Sequence, residues 1–271
     1  MARCYIYNSI NFGINSFKLI LQIVVIPLMS SMHKVLVIFI SLFFSFVVLP
    51  LKAQYSGDYE YSSERIWGIT KATNSGLIGG FLFKYSKELK EDVFHGGIIE
   101  IVNVKHPQEQ KYFANESGNM FIWGKQNYLY SIRLSYSREY TFFKKASQQG
   151  VQVNGVIAAG PTLGLEAPYY VEVKVGRNSI KEPYDPKKHQ YSDILGTGNI
   201  LQGVGQSAVV PGLNLKGGMS FEFGTFKSNV VGVEVGFQCD FFTREIILMP
   251  TTENYSIFPS AYATLFYGSR R

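Results

Sequence analysis

The feature that most constrains this chain is a strict two-residue alternation between residues 213 and 242. Leu213, Leu215, Gly217, Met219, Phe221 and Phe223 alternate with Asn214, Lys216, Gly218, Ser220, Glu222 and Gly224. A short turn follows, with Lys227, Ser228 and Asn229. The pattern then resumes, with Val231, Val233, Val235, Phe237, Cys239 and Phe241 on one face and Gly232, Glu234, Gly236, Gln238 and Asp240 on the other. A period of two is a strand signal, because successive side chains of a strand point to opposite faces. Each arm matches the ~9–11 tilted residues that carry a strand across a bilayer. The segment reads as one hairpin of a transmembrane β-barrel.

The rest of the chain extends that reading. Arg65 to Thr73 is the first expected strand, with Trp67 and Ile69 on one face and Gly68 and Thr70 on the other. After the turn signal Asn74-Ser75-Gly76, Phe81, Phe83 and Tyr85 alternate with Gly80, Leu82, Lys84 and Ser86. Phe94 to Val104 is the third strand; Val102-Asn103-Val104 looks out of phase and predicts a bulge. In the fourth, Tyr128, Tyr130, Ile132, Leu134 and Tyr136 oppose Ser131, Arg133, Ser135 and Ser137. The fifth runs from Val151 to Leu165, with a second bulge expected at Pro161. The hairpin supplies strands six and seven, and Ile257 to Tyr267 is the last. The expected fold is therefore all-β: an antiparallel, up-and-down transmembrane barrel of eight strands. Its connections after strands three, five and seven are long and those after two, four and six are short. A barrel with short periplasmic turns and long extracellular loops has that rhythm.

Alternation alone does not say which face is outside, since a secreted lipocalin-like barrel would show the same pattern reversed. Two features favour apolar side chains outward. Gly80, Gly164, Gly218, Gly224, Gly232 and Gly236 share the polar face, where a narrow eight-stranded barrel has little room. That face also carries charges of both signs, at Lys84, Glu100, Arg133, Lys216, Glu222, Glu234 and Asp240, which would neutralise one another as a lumen network. Arg133 is expected to pair with Glu222 or Glu234, because an unpaired buried charge is costly. Aromatics near the short turns (Tyr85, Phe94, Tyr140, Phe142, Phe143, Phe223, Phe226, Phe266 and Tyr267) would form one interfacial girdle.

The first 53 residues carry Arg3, Lys18, Lys34 and Lys52 and no acid, so the formal net charge of +6 divides into +4 there and +2 beyond. The basic balance belongs mainly to this segment and is not a nucleic-acid signal. Met32-His33-Lys34, the apolar run Val35 to Val48, and Leu51-Lys52-Ala53 have the basic–apolar–small order of a signal peptide over 32–53, cleaved before Gln54. Residues 1–31 then read as an upstream extension, and 54–271 as the barrel domain. Cys239 alone would remain, so no internal disulfide is expected.

In the Lys52-Ala53-Gln54 junction, the alternating strands and the closing Tyr262-Ala263-Thr264-Leu265-Phe266-Tyr267-Gly268, the chain resembles the small outer-membrane β-barrel proteins of Gram-negative bacteria. The junction and the Tyr-Gly-Ser-Arg-Arg end look like those of Bacteroidota in particular. The resemblance implies the outer membrane as location and outer-membrane lipid and lipopolysaccharide as surroundings. It transfers no catalytic residue.

The three histidines of the mature region, His95, His106 and His189, have no metal-ligand spacing, and no metal or other cofactor is expected. The best enzymatic candidate is Asp185-Pro186-Lys187-Lys188-His189 with Ser192 and Asp193, which would act on lipid A or phospholipid; a narrow pore is the other alternative. The favoured expectation is non-enzymatic. The connection 166–212 contains Tyr169, Tyr170, Tyr184, Tyr191, Ile194 and Leu195, more aromatic and aliphatic content than a solvated loop needs. It is expected to bind a partner, as part of an accessory or structural subunit of an outer-membrane assembly or biogenesis complex.

Overall fold

The computed structural model describes residues 62–144, 150–223 and 229–270. The expected leader with everything before it, the lead-in 54–61, and the turn 224–228 with Gly224 and Phe226 lie outside these residues. The described strands are β1 (Ser63–Ala72), β2 (Ser75–Lys90), β3 (Val93–Val104), β4 (Lys111–Phe113), β5 (Met120–Ile122), β6 (Asn127–Phe143), β7 (Gln152–Pro168), β8 (Tyr170–Val175), β9 (Asn178–Pro183), β10 (Ile194–Thr197), β11 (Ala208–Phe223), β12 (Asn229–Ile246) and β13 (Tyr255–Arg270). Eight of them close into a barrel in the order β1-β13-β12-β11-β7-β6-β3-β2. Each long strand pairs antiparallel with the next long strand, and β13 closes on β1 with Trp67 opposite Tyr267. Closure leaves no open sheet edge, the condition for crossing hydrocarbon with strands.

The alternation decides the facing. Leu213, Leu215, Met219, Val231, Val235 and Phe237 project outward from the β11–β12 hairpin, with Phe237 77% exposed, whereas Asn214, Lys216, Ser220, Glu222, Glu234 and Asp240 are buried inside. Trp67, Ile69, Phe81, Ile99, Ile101, Leu134 and Leu265 continue the outer apolar belt around the other strands. An apolar exterior around a polar interior is the arrangement of a transmembrane barrel.

The inward glycines make room for inward rings. A Cβ on Gly164 would lie 2.6 Å from the Phe242 ring, and one on Gly232 2.5 Å from the Phe266 ring. On Gly218 it would lie 2.5 Å from the Tyr262 hydroxyl.

The irregularity expected at Val102-Asn103-Val104 is present on the β2 side, where the register shifts between Gly80–Val102 and Ser75–Val104, whereas the register with β6 is unbroken from Val93–Tyr140 to Val104–Leu129. Val102 and Val104 keep phase with Glu100 and point inward, because the lumen at that end is itself apolar. Pro161, by contrast, causes no bulge. The register of β7 is the same on both sides of it, and the proline projects outward, where it only interrupts the ladder to β6. In the girdle, Tyr140, Phe142, Phe223 and Tyr267 face outward, but Phe94 and Phe266 turn into the lumen, in phase with the buried side of β3 and β13.

The turn after β1 and the connections 105–126, 169–207 and 247–254 all leave the same end of the barrel, here the cap end. The ends of β2, β6 and β11 lie at the other. The expected 166–212 connection is shorter than it looked in sequence: 166–168 complete β7 and 208–212 begin β11.

Candidate functional site

All seven lumen charges expected from the sequence point into the barrel and are buried. Arg133 lies directly across from Glu100 in the β3–β6 ladder and reaches β12 across the lumen. Its Nε and Nη2 donate to the two oxygens of Asp240 at 2.8 and 2.6 Å, and Nη1 donates to Glu100 and to Gln238 Oε1, each at 3.2 Å. The expected partners Glu222 and Glu234 are engaged elsewhere, which corrects the pairing. Glu234 accepts from Tyr262 at 2.8 Å and lies 3.2 Å from Lys216 Nζ, which sits over the Tyr262 ring. Glu222 accepts from Asn154 at 2.6 Å and from Arg270. Lys84 pairs with Glu139 at 2.7 Å, and Ser86 donates to the same carboxylate.

Sequence reasoning missed Glu64, Glu139 and Arg270. Arg270 bonds Glu64 at 2.8 Å. All three continue the inward phase beyond the ends assigned to their strands: Glu64 with Ile66 and Gly68, Glu139 with Ser135 and Ser137, Arg270 with Thr264 and Phe266. Extending each alternation by a few residues finds them. Among the described lumen residues, four cations (Lys84, Arg133, Lys216, Arg270) face six carboxylates (Glu64, Glu100, Glu139, Glu222, Glu234, Asp240), and every cation has a carboxylate partner.

Apolar side chains flank this network. Val104, Leu129, Val210, Phe242, Ile246, Leu248 and Phe258 pack together at the cap-end mouth. Ile66, Leu82, Ile98, Ala158, Val230 and Phe266 form a second cluster inside the wall. Eight strands leave an interior that side chains just fill, and these buried side chains share it with the charge network.

The connections at the cap end fold together as a cap, packed on the ends of β6 and β7. β8, β9 and β10 form a three-stranded sheet, and β4 pairs with β5. Ala114, Phe121, Tyr128, Ala167, Tyr169, Val171, Val173, Tyr184 and Ile194 make its core, with Trp123, Tyr130 and Tyr191 packed around them. Backbone bonds tie the three connections together, Gln126 N–H to Leu248 O and Tyr169 N–H to Gln126 O, each at 2.8 Å, and Gly198 N–H to Tyr170 O at 2.7 Å closes 169–207 on itself. Tyr169 Oη accepts from Ile122 N–H at 3.1 Å, and Tyr191 Oη donates to Phe113 O at 2.9 Å. The buried Lys125 bonds Glu109 at 2.7 Å and lies over the Tyr128 ring; burial lowers its pKa against the pull of Glu109. Burial likewise raises the phenols of Tyr169 and Tyr184.

This core redirects the expected partner-binding residues. Tyr169, Tyr184 and Ile194 are buried inside the cap and present no surface. Tyr170, Tyr191 and Leu195 are half-buried at its margin. The exposed apolar side chains of the cap include Tyr112, Phe113 and Met120 on the β4–β5 hairpin, Val175 and Ile180 on the β8–β9 hairpin, and Ile200 and Leu201.

The enzymatic candidates are occupied locally. His189 is buried; its Nδ1 accepts from Asp185 N–H at 3.1 Å and its Nε2 lies 2.9 Å from Glu182 Oε1. Ser192 donates to Asp193 at 2.9 Å. These contacts fold the 182–193 turn on itself, with His189 held by Asp185 and Glu182 and Ser192 by Asp193. Among the described residues, no group of three His, Cys, Asp or Glu side chains is placed to hold a metal ion.

No family model matches the chain, and no curated protein matches it. Solved structures similar to it include the N-terminal β-barrel domain of Pseudomonas aeruginosa OprF, with a TM-score of 0.32 and 8% identity over 78% of this chain and 98% of that one. Neisserial surface protein A gives 0.30 and 14% over 78% and 95%. The attachment invasion locus protein Ail of Yersinia pestis gives 0.33 and 10% over 78% and 100%. The fold rests on this chain's own closed ladder and side-chain alternation.

Proposed function

We propose that this protein is a non-enzymatic outer-membrane barrel that presents a folded cap on the cell surface, and that the cap docks another outer-membrane protein, making the chain an accessory subunit of a larger assembly. The observation that carries this reading is the contrast between a filled, ion-paired lumen and a cap with its own core. A plugged interior supports a scaffold rather than a conduit. Loops built only to be solvated need no nine-residue apolar core.

The docking surface is assigned to the exposed Tyr112, Phe113 and Met120 and to Val175 and Ile180. Phe113 and Met120 are cross-strand neighbours and form one apolar step. The test is purification from native membranes in mild detergent with Phe113→Asp and Met120→Asp combined, and separately with Val175→Asp and Ile180→Asp. A co-purifying outer-membrane protein should be lost from at least one variant while heat-modifiable gel migration shows the barrel still folded. If both variants retain every partner of the unaltered protein, the cap is not the docking surface.

A further inference from the structure

We infer that the cap has a membrane-facing foot, formed by Ile200 and Leu201, that inserts into the lipid interface beside β6 and β7. The inference rests on the barrel lying in a membrane and is independent of any protein partner.

The first observation is where the cap sits. Tyr128, Tyr130, Ile132, Leu134 and Tyr136 share the outward phase of β6. Towards the middle of the strand they are bare: Leu134 is 44% and Tyr136 51% exposed. Towards its cap end they become covered, and Tyr128 is 7% exposed in the cap core. Ala167 and Tyr169 follow the same course at the end of β7. The cap therefore packs on the outer face of the β6–β7 wall, not over the lumen alone, and its underside overhangs the apolar belt.

The second observation identifies the underside. Tyr130 lies one outward step nearer the belt than Tyr128, and its hydroxyl donates to Ile200 O at 2.8 Å. Nearby, Tyr170 Oη bonds Gln206, and the backbone of Gly203 lies against Pro168, where a Cβ would come within 2.3 Å of its carbonyl oxygen. This segment is held against the wall, yet Ile200 is 53% and Leu201 65% exposed. Val209, exposed on the outward phase of β11 opposite Leu165, continues the apolar surface into the wall.

The third observation is in the sequence. From Ile194 to Leu215 the chain has no charged residue. The preceding arm, 171–193, has nine: Glu172, Lys174, Arg177, Lys181, Glu182, Asp185, Lys187, Lys188 and Asp193. One loop thus has a charged arm and an uncharged arm, and the uncharged arm is the one beside the lipid-facing side chains. Polar backbone is tolerated at the interface, where water and headgroups supply partners, but not in the hydrocarbon. Ile200 and Leu201 therefore reach into the upper acyl region while the loop backbone stays at headgroup level. The occupant is the lipid surrounding the barrel, because the patch is continuous with the lipid-facing belt.

The test is depth quenching. In a background with Cys4→Ser and Cys239→Ser, Leu201→Cys is labelled with an environment-sensitive fluorophore, and the full protein is reconstituted in phosphatidylcholine vesicles. Arg177→Cys and Phe237→Cys are labelled in parallel. A lipid spin-labelled in its upper acyl chain should quench the label at 201 and leave the one at 177 unaffected, whereas soluble iodide should quench 177 far more than 201. A label at 201 that behaves like the one at 177, or that neither quencher reaches, overturns the foot. Position 237 separates the two readings: if spin-labelled lipid fails to quench it, the membrane barrel itself is wrong. Quenching at 237 with none at 201 rejects the foot alone.

Discussion

The lumen and the cap are both closed interiors, yet opposite chemistry holds them together. The lumen buries Lys84, Arg133, Lys216 and Arg270 against carboxylates, and the cap buries Phe121, Tyr169, Val171, Tyr184 and Ile194 against one another. The surroundings explain the difference. The barrel wall displays its apolar side chains to lipid, so burying them inside would gain little, and the inward face is free to be polar provided its charges are paired. The core of the cap lies beyond the hydrocarbon, where burial of apolar surface is the main stabilising term. One chain thus uses inside-out and conventional packing within a few residues along β6, where the outward phase passes from lipid at Leu134 to protein at Tyr128.

The largest expected effect breaks the lumen. Arg133→Met leaves Asp240 and Glu100 buried without their cation, a change that costs about 3–5 kcal/mol when one partner of a buried pair is removed. Urea unfolding of the reconstituted protein should show a lower barrel midpoint, with the cap's protease resistance retained under native conditions. Next comes Phe237→Arg, which places a charge on the middle of β12 facing lipid, at about 2–4 kcal/mol. The same unfolding measurement should detect it, and an unchanged midpoint would mean that Phe237 does not face hydrocarbon. Ile194→Ala removes buried methylenes from the cap and should weaken it by at least about 2 kcal/mol. Limited proteolysis should then cut 169–207 faster while heat-modifiable migration is unchanged.

The sequence exposed the wall far better than the cap, and the reason is periodicity. A strand between lipid and a polar lumen must alternate at every residue, so Leu213 to Asp240 could be read almost position by position. Where both faces become apolar the signal fails. Val102 and Val104 looked out of phase because the mouth of the lumen is packed with Phe242, Ile246 and Leu248, which come from distant segments. Arg133 was placed correctly inside, but its choice of Asp240 over Glu222 or Glu234 depends on reach across the lumen, which strand order alone does not contain. The cap was recognised only as aromatic-rich. Which tyrosines lie in its core depends on the contacts of 105–126 with 169–207, and no local pattern encodes those. The uncharged 194–215 arm was visible in the sequence but had no meaning until its neighbour Tyr130 was known.

The smallest expected effect is one of pH. Burial raises the phenols of Tyr169 and Tyr184 above their ordinary value of 10.0, so the folded cap holds those protons more tightly than the open one. Their contribution is present below pH 10.0 and is lost as the pH rises through the folded-state values. Lys125, lowered by burial, works in the opposite direction. In an alkaline titration the tyrosinate absorbance of these two phenols should appear together with the loss of cap near-ultraviolet dichroism, not before it.

The central claim is that the two interiors are independently closed. The most direct measurement replaces residues 169–207 with a short Gly/Ser turn and follows refolding into vesicles by heat-modifiable gel migration. Inter-strand hydrogen bonds hold the barrel and do not pass through the connection, so the truncated protein should fold and shift on heating as the complete one does. A truncated protein that never acquires the heat-sensitive form would show that the lumen depends on the cap, and would contradict the account.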